Sequence, residues 1–329
     1  MIPIIHQLSL NENHSPALPG VREAIESAAD RVHLTLDALA AELSAEIARD
    51  LGVDPAMVVA GAGSGALLQQ FLSAHSGPGT AVVHAWPSFE LYPVLIRNAG
   101  AAPVAVPPKG HLQDLDALAA AVTGETRVVL LCNPNNPTGE VLDGPRLARM
   151  LDALPPDVLV LIDEAYREFA EPGAVADGIA LLGDPRVAVV RTFSKSHGLL
   201  GLRVGYLVAN ERVAAALRPT TPFFRVPTVA QAAALAALRA PDRMRAQCAA
   251  VAAERDRVRA GLVELGWDVP PSGGNFLWLR LGGRNQSFVD HLAANGVAVR
   301  EIAGAGVRVS TGTPEANDLV LALAKEFAA

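Results

Sequence analysis

A chain of 329 residues, half of them hydrophobic, is long enough for a large α/β domain with a companion. Charged residues make up only 19% and the formal net charge is −7, so no basic footprint for nucleic acid and no charged tail is expected. The opening Met1–Asn13 lacks the basic and long apolar regions of a signal peptide, no apolar run reaches membrane-spanning length, and Cys132 and Cys248 form no CxxC pair; these features predict a cytoplasmic protein with two buried thiols and no metal-ligand set.

In chain order, residues 1–38 show no clear periodicity and are expected to be an irregular segment, packed on the smaller domain or on a partner subunit. From there, β-branched runs alternate with Ala/Leu-rich stretches. Strands are predicted at Val58–Ala60, Ala81–His84, Val104–Val106, Val128–Leu131, Val158–Ile162, Val187–Arg191 and Val204–Val208. Most are too continuously apolar for half-exposed strands, which predicts a buried, mainly parallel sheet of seven strands. Helices are predicted at Ala66–Ala74, Phe89–Asn98, Asp114–Ala121 and Pro145–Leu154. The alternation gives a doubly wound α/β domain over residues 39–218. After Pro219 and Pro222 a long helical tract, Val226–Leu265, precedes short strands at Phe276–Leu281, Val297–Arg300 and Val307–Ser310. Residues 219–329 are therefore expected to form a smaller α+β domain.

Four segments carry candidate chemistry. Gly61-Ala62-Gly63-Ser64-Gly65-Ala66 lies between a strand and a helix, where backbone N–H groups bind phosphate; a tight strand–helix turn explains it about as well. Asn133-Pro134-Asn135-Asn136-Pro137-Thr138-Gly139 follows a strand at the sheet edge where α/β proteins bind ligands. In Leu161-Ile162-Asp163-Glu164-Ala165-Tyr166 an aspartate ends an apolar strand, which is costly unless it meets a cation or donors; the competing reading is a helix N-cap. In Arg191-Thr192-Phe193-Ser194-Lys195-Ser196-His197-Gly198, a lysine sits among hydroxyls and glycines with Arg203 eight residues on, a setting for a desolvated amine beside an anion site. Trp86 and Tyr92 are expected to be packing residues, Cys132 a small buried apolar residue, and His84 and His197 structural.

Taken together, NPNNPTG, IDEAY, RTFSK with GLRVGY, and the C-terminal GVRVSTGTPE resemble the fold-type I pyridoxal-phosphate (PLP) enzymes, in the branch of histidinol-phosphate and aromatic aminotransferases. The resemblance runs from about Asn11 to Asn317. It implies that Lys195 binds the cofactor as a Schiff base, that Asp163 pairs with its pyridinium nitrogen, and that Tyr166 and Asn136 meet its phenolic oxygen. It further implies a phosphate cup of Ala62, Gly63, Ser64, Thr192, Ser194 and Arg203, stacking by Phe89, and an α-carboxylate clamp at Arg308. The implied activity is transfer of an amino group between an L-amino acid and a 2-oxo acid such as 2-oxoglutarate, in a homodimer; a PLP-dependent decarboxylase or oxidase is the alternative. The chain departs from these relatives in three places. His14-Ser15-Pro16 follows Asn11-Glu12-Asn13; Arg31-Val32-His33-Leu34 stands where relatives carry a cross-subunit tyrosine; and Ser196-His197 follows the lysine. Whether His33 takes over the tyrosine's contact is open, and the departures leave the substrate open between histidinol phosphate, an aromatic amino acid and another amino acid.

Overall fold

A computed structural model describes residues 4–35, 37–220, 222–302 and 304–328. Residues 1–3 and 36 of the N-terminal segment, and 221, 303 and 329 of the C-terminal one, lie outside the described residues. The strands are β1 (His6–Gln7), β2 (Val58–Gly61), β3 (Ala81–Ala85), β4 (Ala102–Val106), β5 (Thr126–Cys132), β6 (Leu159–Asp163), β7 (Val187–Thr192), β8 (Gly205–Ala209), β9 (Phe276–Leu279), β10 (Val297–Ala298), β11 (Arg300–Ile302) and β12 (Gly306–Ser310).

Strands β2 to β8 form one seven-stranded sheet in the order β2-β8-β7-β6-β5-β3-β4. The ladders β4-β3-β5-β6-β7 are parallel, and only β8 runs against its neighbours. Both faces are covered, as continuous Val/Ile/Leu runs require. On one face, Val59, Val128, Leu130, Val190 and Leu207 pack under the helices Ser64–His75, Tyr92–Asn98 and Glu211–Leu217. On the other, Val129, Val160, Ile162 and Val189 meet Leu115–Ala120 and Gly144–Ala153. Asp114 and Asp143 start those two helices by accepting the N–H groups of Ala117 and Arg146, the usual work of an N-cap carboxylate.

The segment expected to be irregular is partly ordered. β1 pairs with β10 in parallel, and Val21–Ala29 is a helix whose apolar side, with Val21, Ile25 and Ala28, packs on Thr228–Leu238. The helix is short and begins after a left-handed Gly20 with no side-chain cap, so its start carries no sequence signal. Thr228–Leu238 itself shares a core with Val58, Ala60, Val208 and the helix Ala41–Leu51.

Strands β11, β12 and β9 form a three-stranded antiparallel sheet backed by the helices Pro241–Glu264, Asn285–Ala294 and Pro314–Ala328. The single strand expected at Val297–Arg300 is divided, because β10 pairs with β1 while β11 turns to β12. The helix expected from Phe89 begins only at Tyr92, with Pro93 in its first turn, so Phe89 stands in a turn above β3.

Candidate active site

Strand order reverses between β3 and β5: the chain passes outward from β3 to β4 and returns to pair β5 on β3's other side. A crevice opens at such a point beyond the carboxyl ends of the strands. Here it is a cavity of about 420 Å³, floored by the ends of β5, β6 and β7 and walled by the N-terminal segment and the C-terminal sheet.

The loop after β5 separates the roles of its three asparagines. Asn133 exchanges two hydrogen bonds with the backbone of Leu142. Asn135 accepts from the Ser88 hydroxyl at 2.7 Å and donates to Thr138 at 2.9 Å. Both hold the loop together. Asn136 alone of the three lines the cavity, where its Oδ1 accepts a 2.6 Å hydrogen bond from Arg308.

Asp163 ends β6 and is buried in the cavity floor. Burial pushes its carboxyl up to about 6, against the opposing help of the Tyr92 hydroxyl and the Ala165 N–H. Tyr92 donates to Asp163 Oδ2 at 3.1 Å and Ala165 N–H to Oδ1 at 3.2 Å. No helix starts at Asp163, so the N-cap reading does not hold. Tyr92, expected only to pack, is instead a direct partner of this carboxylate. The reason is the turn above β3, which seats Tyr92 at the start of its helix, over β6. Tyr166 lies close by, its hydroxyl accepting from Asn11 at 3.0 Å; burial raises it to about 12.

Lys195 sits two residues beyond β7's neighbour Phe193, whose fully buried ring anchors the turn. Its ammonium donates to two backbone carbonyls of the N-terminal segment, Leu10 and Asn11, each at 3.0 Å. Burial lowers its pKa to about 8, and the guanidiniums of Arg308 and Arg203 push the same way. The chain has three lysines, the others being Lys109 and Lys325, and of these only Lys195 lines the cavity.

Beside it is a cluster fit for an anion. Arg203 takes a left-handed backbone, φ 55°, uncommon for a residue with a side chain. Its guanidinium donates to Leu200 O at 3.1 Å and lies 3.4 Å from the Ser194 hydroxyl, which in turn meets Thr192 Oγ1 at 2.8 Å. Gly63, φ 85°, turns the chain into the helix Ser64–His75; a Cβ there would stand 2.6 Å from Arg203 Nη2. The glycine is therefore required by its φ, and its lack of a side chain lets the guanidinium approach the turn undisplaced. Ser64 and Gly65 line the cavity, while Ala62 and Gly63 form the turn behind them.

Phe89 lines one wall, edge-on to Tyr92 at 5.5 Å. Opposite stands Arg308 of β12, buried, one nitrogen donating to Asn136 and another to Ser9 O. Its Nε is buried without a partner. The residues singled out from the sequence thus converge on one cavity, with Ala62 and Gly63 just behind it. The sequence reading assigned no site role to Asn11, Glu90 or Arg300 and only a packing role to Tyr92; they come from a motif's flank or from a strand without a motif. The set supplies what a phosphorylated aromatic aldehyde needs: a poorly hydrated amine for the carbonyl carbon, a buried carboxylate for a ring nitrogen, and donors with a guanidinium for the phosphate.

Comparison with known proteins agrees. The family model "Aminotransferase class I and II" matches residues 3–322. An aromatic amino acid aminotransferase of Streptomyces coelicolor is 47% identical over 327 residues, covering 99% of this chain and 91% of that protein. One from Thermobifida fusca is 48% identical over 322 residues, covering 98% and 90%. Among solved structures, the histidinol-phosphate aminotransferase of Sinorhizobium meliloti in complex with pyridoxal 5'-phosphate superposes with a TM-score of 0.92 at 30% identity, covering 99% and 91%.

The depressed pKa of Lys195 has a direct readout. Only the neutral amine reacts with an acylating reagent, so a lower pKa moves the onset of reaction to lower pH. In cofactor-free protein, acetylation mapped by mass spectrometry should rise at Lys195 with a midpoint near pH 8, where an ordinary lysine has its midpoint at about 10.4. A midpoint above 10 at Lys195 would contradict the desolvation described.

Proposed function

Since the chain belongs to the class I and II aminotransferases, we propose that Lys195 binds its pyridoxal phosphate and that aromatic L-amino acids are its donors. The fold is that of the fold-type I PLP enzymes, and the protein is a PLP-dependent aminotransferase working between an amino acid and a 2-oxo acid. The relatives support transamination rather than the decarboxylase or oxidase alternative.

When bound, the cofactor supplies a protonated pyridine ring that stabilises negative charge at the substrate Cα. In our reading Asp163 keeps the proton on the ring nitrogen: its raised pKa belongs to a carboxylate without a cation, and a cation beside it favours ionisation. Tyr92 holds that carboxylate by its Oδ2. Tyr166 and Asn136 serve the ring oxygen, and Phe89 covers the ring face. Arg203, Ser194, Thr192 and the N–H groups of the turn from Ala62 and Gly63 into Ser64 hold the phosphate, a dianion better matched by a guanidinium and a helix N-terminus than by one amine.

Arg308 takes the substrate α-carboxylate through its planar fork, exchanging its present contacts with Ser9 O and Asn136 for the ligand. Gripping that group fixes which Cα bond faces the ring. Lys195 Nζ would be the base that takes the proton from the substrate Cα. An amine with a pKa of about 8 suits this, since a useful fraction is neutral near pH 7.5.

The aromatic assignment is carried by one observation: near-half identity over almost the whole chain to enzymes named for aromatic amino acids. Leu10, Phe89 and Leu91 line the cavity and offer apolar surface to a ring. Histidinol phosphate is the second reading, favoured by the S. meliloti likeness. We also propose a homodimer: Val32, Leu34, Phe223 and Phe224 are large apolar residues left exposed, and Phe224 N–H donates to Ala38 O, which ties the turn bearing the two phenylalanines to the N-terminal segment. A cytoplasmic location accords with two buried, unpaired cysteines, and among the described residues no helix is long and apolar enough to cross a membrane.

With 2-oxoglutarate as acceptor, kcat/KM for phenylalanine or tyrosine should exceed that for histidinol phosphate by at least about tenfold, the discrimination of one well-placed contact. The reverse order would replace the aromatic assignment with the second reading. Sedimentation should give about twice the 34.3 kDa chain mass; a monomer in the active fraction would refute the dimer.

A further inference from the structure

The C-terminal sheet brings two arginines to the cavity side by side. Arg308 of β12 and Arg300 of β11 are directly paired in register, so both side chains leave the same face, and both line the cavity. Like charges opposite each other on neighbouring strands repel. The relief comes from across the cavity. Glu90, in the turn that carries Phe89, accepts from Arg300 at 3.1 Å from Nε and 2.9 Å from Nη2, a forked geometry that fixes orientation as well as charge.

The pair stands at the mouth, with 33% of the Glu90 side chain and 53% of Arg300 exposed. Such a pair adds little to stability. Its consequence is the charge that an entering ligand meets. Two carboxylates line the cavity; Asp163 lies at the floor under Tyr92, and Glu90 is the one beside the arginines. Glu90 and Arg300 also act in opposite senses on the charge of Arg308, Glu90 supporting it and Arg300 opposing it, so the three share one local field. Arg308 meets the α-carboxylate, common to every amino acid, and discrimination falls to the second arginine.

We infer that Glu90 is a specificity-determining residue: by neutralising Arg300 it biases the pocket toward ligands with an uncharged side chain, so that a dicarboxylate such as 2-oxoglutarate is still accepted but is held without the full charge of the second arginine. The inference deepens the aromatic reading above and rests on it. Removing the carboxylate leaves Arg300 free beside Arg308, a site for two anionic groups.

Ligands that do not react separate this from turnover. Succinate, with two carboxylates, and 3-phenylpropionate, with one carboxylate and a ring, are titrated calorimetrically into the holoenzyme. In Glu90→Gln the ratio of the succinate to the 3-phenylpropionate dissociation constant should fall about tenfold, the order expected for one unit charge a few ångströms from a half-exposed site. Arg300→Gln, which leaves the Glu90 carboxylate unpaired, should raise that ratio, and Glu90→Gln combined with Arg300→Gln, which removes both charges, should return it close to the wild-type value. A ratio unmoved in Glu90→Gln, or a double variant whose ratio stays about tenfold below the wild-type value, overturns the inference. Neither ligand is transaminated, so failure to turn over aromatic donors would be seen separately and would leave this measurement readable.

Discussion

Taking the amine of Lys195 out of water is the constraint on which the site depends. An ammonium in a buried, cation-flanked position is costly, and the structure meets that cost with two backbone carbonyls, Leu10 O and Asn11 O, rather than with a carboxylate. A carboxylate partner would have pinned the proton on the amine. Burial, with Arg203 and Arg308 nearby and only neutral acceptors on the amine, lowers its pKa to about 8, which leaves a useful fraction neutral near pH 7.5. The N-terminal segment is therefore part of the site, tied down by Asn275 donating to Asn11 O and Glu12 O and by Asn13 donating to Lys195 O.

The groups around this amine are held by the sheet and by a buried ion network beneath it. Glu164, fully buried next to Asp163, meets Arg191 at 2.7 Å and accepts the Gly178 N–H. Arg191 also reaches Asp177, which Arg167 shares at 2.9 Å. Because Glu164 follows β6 and Arg191 lies in β7, the network fastens together the two strand ends that present Asp163 and Lys195. A buried pair of this kind is weak evidence for stability but costly to break, about 3–5 kcal/mol when one partner is removed. Its contribution here is to keep two site residues on neighbouring strands in fixed relation.

Much of this was legible in the sequence, for physical reasons. Continuous apolar runs marked each strand of the seven-stranded sheet, because a parallel sheet covered on both faces has no polar side to interrupt the pattern. Lys195, Asp163 and Arg203 stood out as polar residues near strand ends among turn formers, where burial demands a use, whereas Asn136, Phe89 and Arg308 were picked out only by the resemblance of their segments to the aminotransferases. Other features were silent. The helix Val21–Ala29 has no cap, and the separation of β10 from β11 depends on which partner each half meets. Tyr92 reads as one more aromatic near a sheet edge; only the turn that delays its helix turns its hydroxyl to Asp163. The Glu90–Arg300 pair spans 210 residues, a distance over which local pattern carries no information.

The central claim is that Lys195 bears the cofactor. Borohydride reduction of the purified holoenzyme, followed by proteolysis and mass mapping of its three lysines, tests it most directly. The account predicts a reduced pyridoxyl group on Lys195 alone; a label on Lys109 or Lys325, or none on any lysine of an enzyme active with PLP, would contradict it.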